Sequence, residues 1–155
     1  INREKPYREK PRDLLTENLG QAFPRLSGIK SHPQALERLL DLKELNARDY
    51  LQNQSFISLP DFSLLHFLTD TKAPTNIDWY LDAEVVHFKE KVIQELETKK
   101  PIAIIEKAPS FGEDVSPHLD CKQVQFVRDN IVVQHVVSTW QLIDGSKYFC
   151  VFKKY

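Results

Sequence analysis

A short stretch of the chain, positions 113 to 121, concentrates residue types that bind metals or transfer protons. It contains Glu113, Asp114, His118, Asp120 and Cys121. A metal site needs three or four converging ligands, and His118 and Asp120 would share one face of an extended strand. The spacing matches no recognised metal motif, and a solvated loop leading into a strand explains these residues better. We therefore predict no metal site here, although this loop is where an enzyme activity would be sought first.

Two further arrangements contain catalytic residue types. Cys121 could be a nucleophile paired with His118 or His135, but the sequence indicates neither an orienting group nor an oxyanion hole. Glu106 and Lys107 end a predicted strand, and a metal-dependent nuclease needs an acidic residue and a lysine on one strand face. Adjacent strand residues point to opposite faces, which disfavours the nuclease interpretation. We predict no catalytic residue and lean against an enzyme.

Glycine-rich loops are also missing from the sequence. The chain has four glycines, and no two are close enough to form a phosphate-binding loop. This pattern disfavours dinucleotide-binding folds and nucleotide-dependent enzymes that use such loops. We therefore expect no cofactor.

Charge and composition limit the classes of partner. With a net charge of −1, 41% hydrophobic and 28% charged residues, the chain is typical of a globular domain and has no global attraction for nucleic acid. One local exception interleaves basic and aromatic residues near the C-terminus: Lys147, Tyr148, Lys153, Lys154 and Tyr155. Aromatic platforms in a positive groove bind single-stranded nucleic acid, so nucleic-acid binding is the alternative function. Alternating aromatic residues in a strand more often pack in a core.

Protein interaction is the function that the sequence favours, and it rests on two regions. Residues 1–11 form an arm in which Arg-Glu-Lys-Pro occurs twice, and its prolines favour extended backbone. In this arm Tyr7 would anchor a partner, with Arg3 and Arg8 as contacts. The second region, residues 56–68, is dense in large apolar groups, among which we predict partner contacts from Phe56, Phe62 and Phe67. We expect a non-catalytic interaction domain or a subunit of a larger intracellular assembly. The sequence does not determine its oligomeric state.

The cysteines and targeting signals bear on the compartment. Only Cys121 and Cys150 are present, so we expect two reduced, partly buried thiols in an intracellular protein, in the nucleus, the cytoplasm or an organelle interior. A single bridge between these two cysteines is also geometrically possible. One glycosylation sequon occurs, Asn53-Gln54-Ser55, in a pattern that is common by chance. No apolar run approaches the ~18 residues that a membrane span requires.

Hydrophobic spacing predicts the elements that must position these residues. Helices are expected at residues 12–23 and 31–45, the second capped by Ser31. The strongest helical pattern follows and is ended by Pro101. It consists of Leu81, Val85, Phe88, Val92 and Leu96.

Strands are expected mainly in the last third of the chain. Residues 102–105 read as a buried strand. An antiparallel meander is predicted after it, with strands at residues 123–127, 131–140, 141–143 and 147–152. The predicted fold class is α+β, with a helical N-terminal part packed on a small, mostly antiparallel C-terminal sheet, and residues 12–155 forming one domain. A basic last strand would protect the sheet edge if it lay there.

Overall fold

The computed structural model describes residues 11–60, 62–77, 80, 85–107, 120–121 and 130–155. In these residues it contains four α-helices and two sheets, so the predicted α+β class is confirmed. The helices are α1 (Pro33–Asn46), α2 (Leu64–Thr69), α3 (Lys89–Lys99) and α4 (Ile131–Thr139). Strands β1 (Glu17–Asn18) and β2 (Lys30–Ser31) form the smaller sheet. The larger sheet contains β3 (Phe56–Leu59), β4 (Ile102–Glu106), β5 (Gln141–Gly145) and β6 (Phe149–Lys153).

The larger sheet has the strand order β3-β4-β6-β5, with β3 parallel to β4 and the other pairs antiparallel. Because strand side chains alternate, it buries residues on both faces. On one face, Phe56 and Ile104 share an apolar cluster with leucines of α1 and α2. On the other, Ile57 and Ile105 share a second cluster with valines of α3 and α4. None of the helices in the described part of the chain is long and apolar enough to cross a membrane.

The strand predicted at residues 131–140 is wrong, because this segment forms α4. Asn130 caps the helix: its side-chain oxygen accepts hydrogen bonds from the backbone N–H groups of Val132 (3.1 Å) and Val133 (3.0 Å). Val132, Val133 and Val136 are all fully buried, at the spacing of one helix face. The cap and this burial outweigh the strand preference of the valines.

The other predicted helices need smaller corrections. Helix α1 is confirmed, but its cap is His32, whose Nδ1 accepts from the N–H of Ala35 at 3.3 Å, and not Ser31. The helix predicted at residues 12–23 is wrong, since this segment forms two 3-10 turns and strand β1. Gly20 permits this compact arrangement, because a Cβ there would lie 2.9 Å from Cα of Ser27.

Two expectations about the C-terminal strands also change. Strand β6 pairs with both β4 and β5, so it is an interior strand and not an edge. The hairpin of β5 and β6 is confirmed, whereas the strand predicted at residues 123–127 lies outside the described residues. The prediction of reduced thiols is wrong: Cys121 and Cys150 form a disulfide with a Cα–Cα distance of 5.7 Å.

Candidate interaction surface

The residues predicted to contact a partner lie in different environments. The arm residues Tyr7, Arg3 and Arg8 lie outside the described residues. Phe56 is only 3% exposed and stacks on His66 with a centroid distance of 5.1 Å, so it is a core residue. Phe62 is half-buried against Phe149, at a centroid distance of 6.3 Å.

Phe67 is the predicted contact that the structure exposes, at 53% of its surface. Together with Leu64 it forms an apolar pair on the outer face of α2. The guanidinium of Arg25 lies 5.3 Å from the Phe67 ring centroid and pairs with Asp70 at 2.9 Å. One face of this ring is therefore already occupied by a cation of the same chain.

A second apolar surface, absent from the sequence predictions, lies where the chain enters α3. Val86 and Phe88 are 51% and 47% exposed. Phe88 lies at one side of a depression of about 220 Å³, which we call the α3 groove. The groove is lined by Asn76, Ile77, Phe88, Lys91, Val92 and Glu95.

The exposure of Phe88 follows from the point at which α3 begins. The sequence pattern predicts a helix that continues through Phe88 and buries it. Instead the helix begins at Lys89, and Phe88 is the N-cap residue with φ −137°. Val85, which is fully buried, anchors the preceding turn through its carbonyl, which accepts from the N–H of Phe88 at 3.0 Å. The turn therefore directs Phe88 outward, while Val92 stays in the core.

The opposite wall of the α3 groove is held in place by polar contacts. The carboxylate of Glu95 accepts hydrogen bonds from Asn76, at 2.8 Å from the side-chain amide and 3.4 Å from the backbone N–H. Lys99 donates to the carbonyl of Pro74 at 2.6 Å. These contacts tie the segment before the groove to α3, so the groove is formed before any partner binds.

Two lysines lie beside the α3 groove, at the amino end of α3. Val86, Phe88 and the side chains of His87, Lys89, Glu90 and Lys91 line an adjoining depression of about 340 Å³. Within the described part of the chain, neither Lys89 nor Lys91 takes part in an ion pair. Phe88 supplies no side-chain cap, so the amino end of the α3 dipole adds positive potential. Glu95 is engaged by Asn76 and Lys99, which leaves Glu90 as the uncompensated acid.

The basic-aromatic C-terminal residues are mostly engaged within the protein. Tyr148 is 3% exposed and donates to Glu37 at 2.6 Å, and Lys147 forms an ion pair with the same carboxylate. These two hydrogen bonds lower the pKa of Glu37, and burial raises the pKa of Tyr148. Lys154 pairs with Glu97 at 3.1 Å. Lys153 lies 5.4 Å from the ring of Tyr155, which is exposed, and these two residues are the part of the predicted nucleic-acid surface whose side chains make no hydrogen bond or ion pair with another element in the described part of the chain.

A polar cluster that the sequence did not indicate joins α1 to the β5–β6 hairpin. We call it the sheet-end clamp, formed by Glu37, Arg38, Asp41, Glu106, Ser146, Lys147 and Tyr148. Asp41 accepts from the hydroxyl of Ser146 at 2.7 Å and from the N–H of Tyr148 at 2.9 Å. Arg38 pairs with Glu106 at 2.9 Å, both side chains being nearly inaccessible to solvent. These partners lie far apart in the sequence, so no local pattern could have indicated them.

Three of the residues considered for catalysis make contacts within the protein that stabilise its fold. Cys121 is in the disulfide, which removes it as a free nucleophile. Glu106 pairs with Arg38, while Lys107 donates to the carbonyl of Ser146 at 2.7 Å. Glu113, Asp114 and His118 lie outside the described residues. Among the residues that are described, no group of three or more metal-binding side chains occurs.

The α3 groove is thus a preformed apolar site among the described residues, with Lys89 and Lys91 beside it. Comparison of the chain with protein-family models, with curated proteins and with solved structures gave no match in any of the three.

Proposed function

We propose that this chain is a protein-interaction domain whose α3 groove binds an apolar side chain from an acidic segment of a partner protein. The observation that carries the proposal is Phe88, a large aromatic residue 47% exposed beside a groove whose floor reaches the core through Val92. Aromatic residues beside preformed pockets are typical centres of binding energy. A groove of about 220 Å³ fits one leucine, isoleucine or phenylalanine side chain.

The acidic character of the partner segment follows from the charges next to the groove. Lys89 and Lys91 lie at the amino end of α3, where the helix dipole is also positive. Carboxylates on the partner would complement this potential, increase the association rate and select against basic segments. The α2 surface is a weaker candidate because Arg25 already covers one face of Phe67.

The disulfide supports an oxidising compartment for this interaction. Disulfides persist in oxidising compartments and are rare in the cytosol and nucleus. Of the intracellular locations expected from the sequence, an organelle interior therefore fits Cys121 and Cys150 best. The domain would bind its partner there as a subunit of a larger assembly.

A peptide-display selection against the whole chain tests this proposal. We expect enriched peptides to combine one large apolar residue with acidic neighbours, and replacement of those acids by their amides to weaken binding several-fold. Phe88→Ser should reduce the affinity at least tenfold, as measured by fluorescence polarisation. Leu40→Ser is the matched control, since Leu40 is also exposed (37%) but lies on α1. Enrichment of basic peptides, or equal effects of the two substitutions, would overturn the proposal.

A further inference from the structure

The turn between α1 and β3 contains the only N-x-Ser/Thr sequon of the chain, Asn53-Gln54-Ser55. A sequon becomes a modification site only if its asparagine is accessible and the protein passes through a compartment that holds the transferase. The structure bears on both conditions through separate parts of the molecule.

Accessibility is provided by the local conformation of the turn. Asn53, Gln54 and Ser55 are all exposed. Asn53 has φ 62°, a left-handed conformation that asparagine tolerates in turns. Within the described residues, no hydrogen bond engages the side chain of Asn53 or of Ser55. The Ser55 carbonyl accepts from the N–H of Ile102 at 2.8 Å. Backbone pairing with β4 therefore begins after Asn53, the residue to which a glycan would be attached.

The compartment is indicated by the disulfide, which does not involve the sequon. Cys121 and Cys150 are joined although both are nearly inaccessible to solvent, so the bond forms as the chain folds in an oxidising environment. In cells with a secretory pathway, that environment is also where asparagine-linked glycans are attached.

We propose that Asn53 is an N-glycosylation site, modified by a polyisoprenoid-diphosphate-linked oligosaccharide. The side-chain amide nitrogen forms a bond to the anomeric carbon of the first sugar and gives up one proton. The bond between that carbon and the diphosphate oxygen breaks, and the diphosphate leaves with the electron pair. No oxidant or reductant takes part.

The position of Asn53 leaves the α3 groove open. Ser55 pairs with Ile102, the residue that begins β4 just after the carboxyl end of α3. The groove-lining residues of this segment run from Phe88 to Glu95, and all of them precede Lys99, the last residue of α3. Asn53 therefore lies closer to the carboxyl end of α3 than to Phe88. A glycan there would shield the start of β3, which is an edge strand of its sheet within the described residues, from pairing with another chain.

Peptide mass spectrometry on the protein isolated from the cells that produce it tests this inference. We expect the peptide that contains Asn53 to carry hexosamine and hexose, and a glycan-removing amidase to convert Asn53 to aspartate. Ser55→Ala and Asn53→Gln should abolish occupancy, while Ser55→Thr, which keeps the hydroxyl, should retain it. An unmodified Asn53 in protein whose Cys121–Cys150 disulfide has formed would overturn the proposal, and so would protein in which both cysteines are reduced.

Discussion

The sheet-end clamp and the α3 groove use charged residues in opposite ways. In the clamp, each charge has a partner from a distant part of the chain, such as Arg38 with Glu106 and Lys147 with Glu37. Around the groove, Lys89 and Lys91 lie beside an exposed phenylalanine and pair with no acid in the described part of the chain. The paired charges of the clamp, of which Arg38 and Glu106 are buried, fix one arrangement of helix and sheet, whereas unpaired lysines beside an apolar group favour an external partner.

Among the tests of this contrast, the largest change in the free energy of unfolding is expected at the buried ion pair of the clamp. Arg38→Leu removes the guanidinium that Glu106 pairs with at 2.9 Å, and a buried charge without its counter-ion is strongly unfavourable. We expect a loss of about 3–5 kcal/mol in the free energy of unfolding, measured by urea denaturation. The double variant Arg38→Leu with Glu106→Leu should recover much of this loss. Equal instability of the single and double variants would refute the role assigned to the pair.

A smaller loss is expected at Asp41, which binds the hairpin through hydrogen bonds. Asp41→Ala leaves the hydroxyl of Ser146 and the N–H of Tyr148 without their acceptor. The expected loss of unfolding free energy is about 1–3 kcal/mol. Asp41→Asn, which keeps one acceptor oxygen, should lose less. The affinity for an acidic peptide should stay unchanged in both variants. A parallel loss of binding would contradict the assignment of stability to the clamp and of recognition to the groove.

The pH dependence of stability should be dominated by a carboxylate near the far end of α3. Hydrogen bonds from Trp140 and His135, followed by the contact with Lys154, lower the pKa of Glu97 from 4.5 to about 2. Between these two values the unfolded chain binds the proton that the folded chain does not, so stability falls as the pH drops from 4.5 towards 2. Above 4.5 the full contribution of Glu97 is present. Glu97→Gln should flatten this part of the curve in denaturation series at stepped pH, and an unchanged slope would contradict the assignment.

The smallest effect on stability is expected at the groove cations. Lys91→Gln should change the free energy of unfolding by less than about 0.5 kcal/mol, because it removes no ion pair of the described residues. It should nevertheless weaken an acidic peptide several-fold at low salt, with the difference shrinking as salt screens the charge. Lys43→Gln on α1 is the control, since Lys43 is exposed but remote from the groove in the sequence. Titrations at two salt concentrations compare the variants. A loss of stability in Lys91→Gln would contradict the proposal that Lys91 acts only in binding a partner.

The fold class could be predicted from the sequence because local patterns encode its elements. The spacing of the leucines predicts the buried face of α1, and the continuous apolar run predicts the buried strand β4. A strand is predicted at the valines 132, 133 and 136 because β-branched residues favour strands. The segment forms a helix instead, which the Asn130 side chain caps. The helix predicted to end at Pro101 is confirmed over Lys89–Lys99, but Phe88 precedes it as its N-cap, since spacing alone does not specify where a helix begins.

The candidate site was less accessible to sequence reasoning. Phe67, a predicted partner contact, is exposed, whereas Phe56, predicted to be another, stacks in the core. The disulfide and the clamp depend on contacts between distant positions, such as Cys121 with Cys150 and Asp41 with Tyr148. Tertiary contacts of this kind have no local sequence signal.

The most direct test of the contrast between the two regions is a nuclear magnetic resonance titration of the chain with a selected acidic peptide. Amide shifts should be confined to the α3 groove, at Ile77, Phe88, Lys91 and Val92, and should be absent from Asp41 and from the other residues of the sheet-end clamp. Saturating shifts centred on the clamp, with the groove amides unmoved, would contradict the assignment of recognition to the groove and of stability to the clamp.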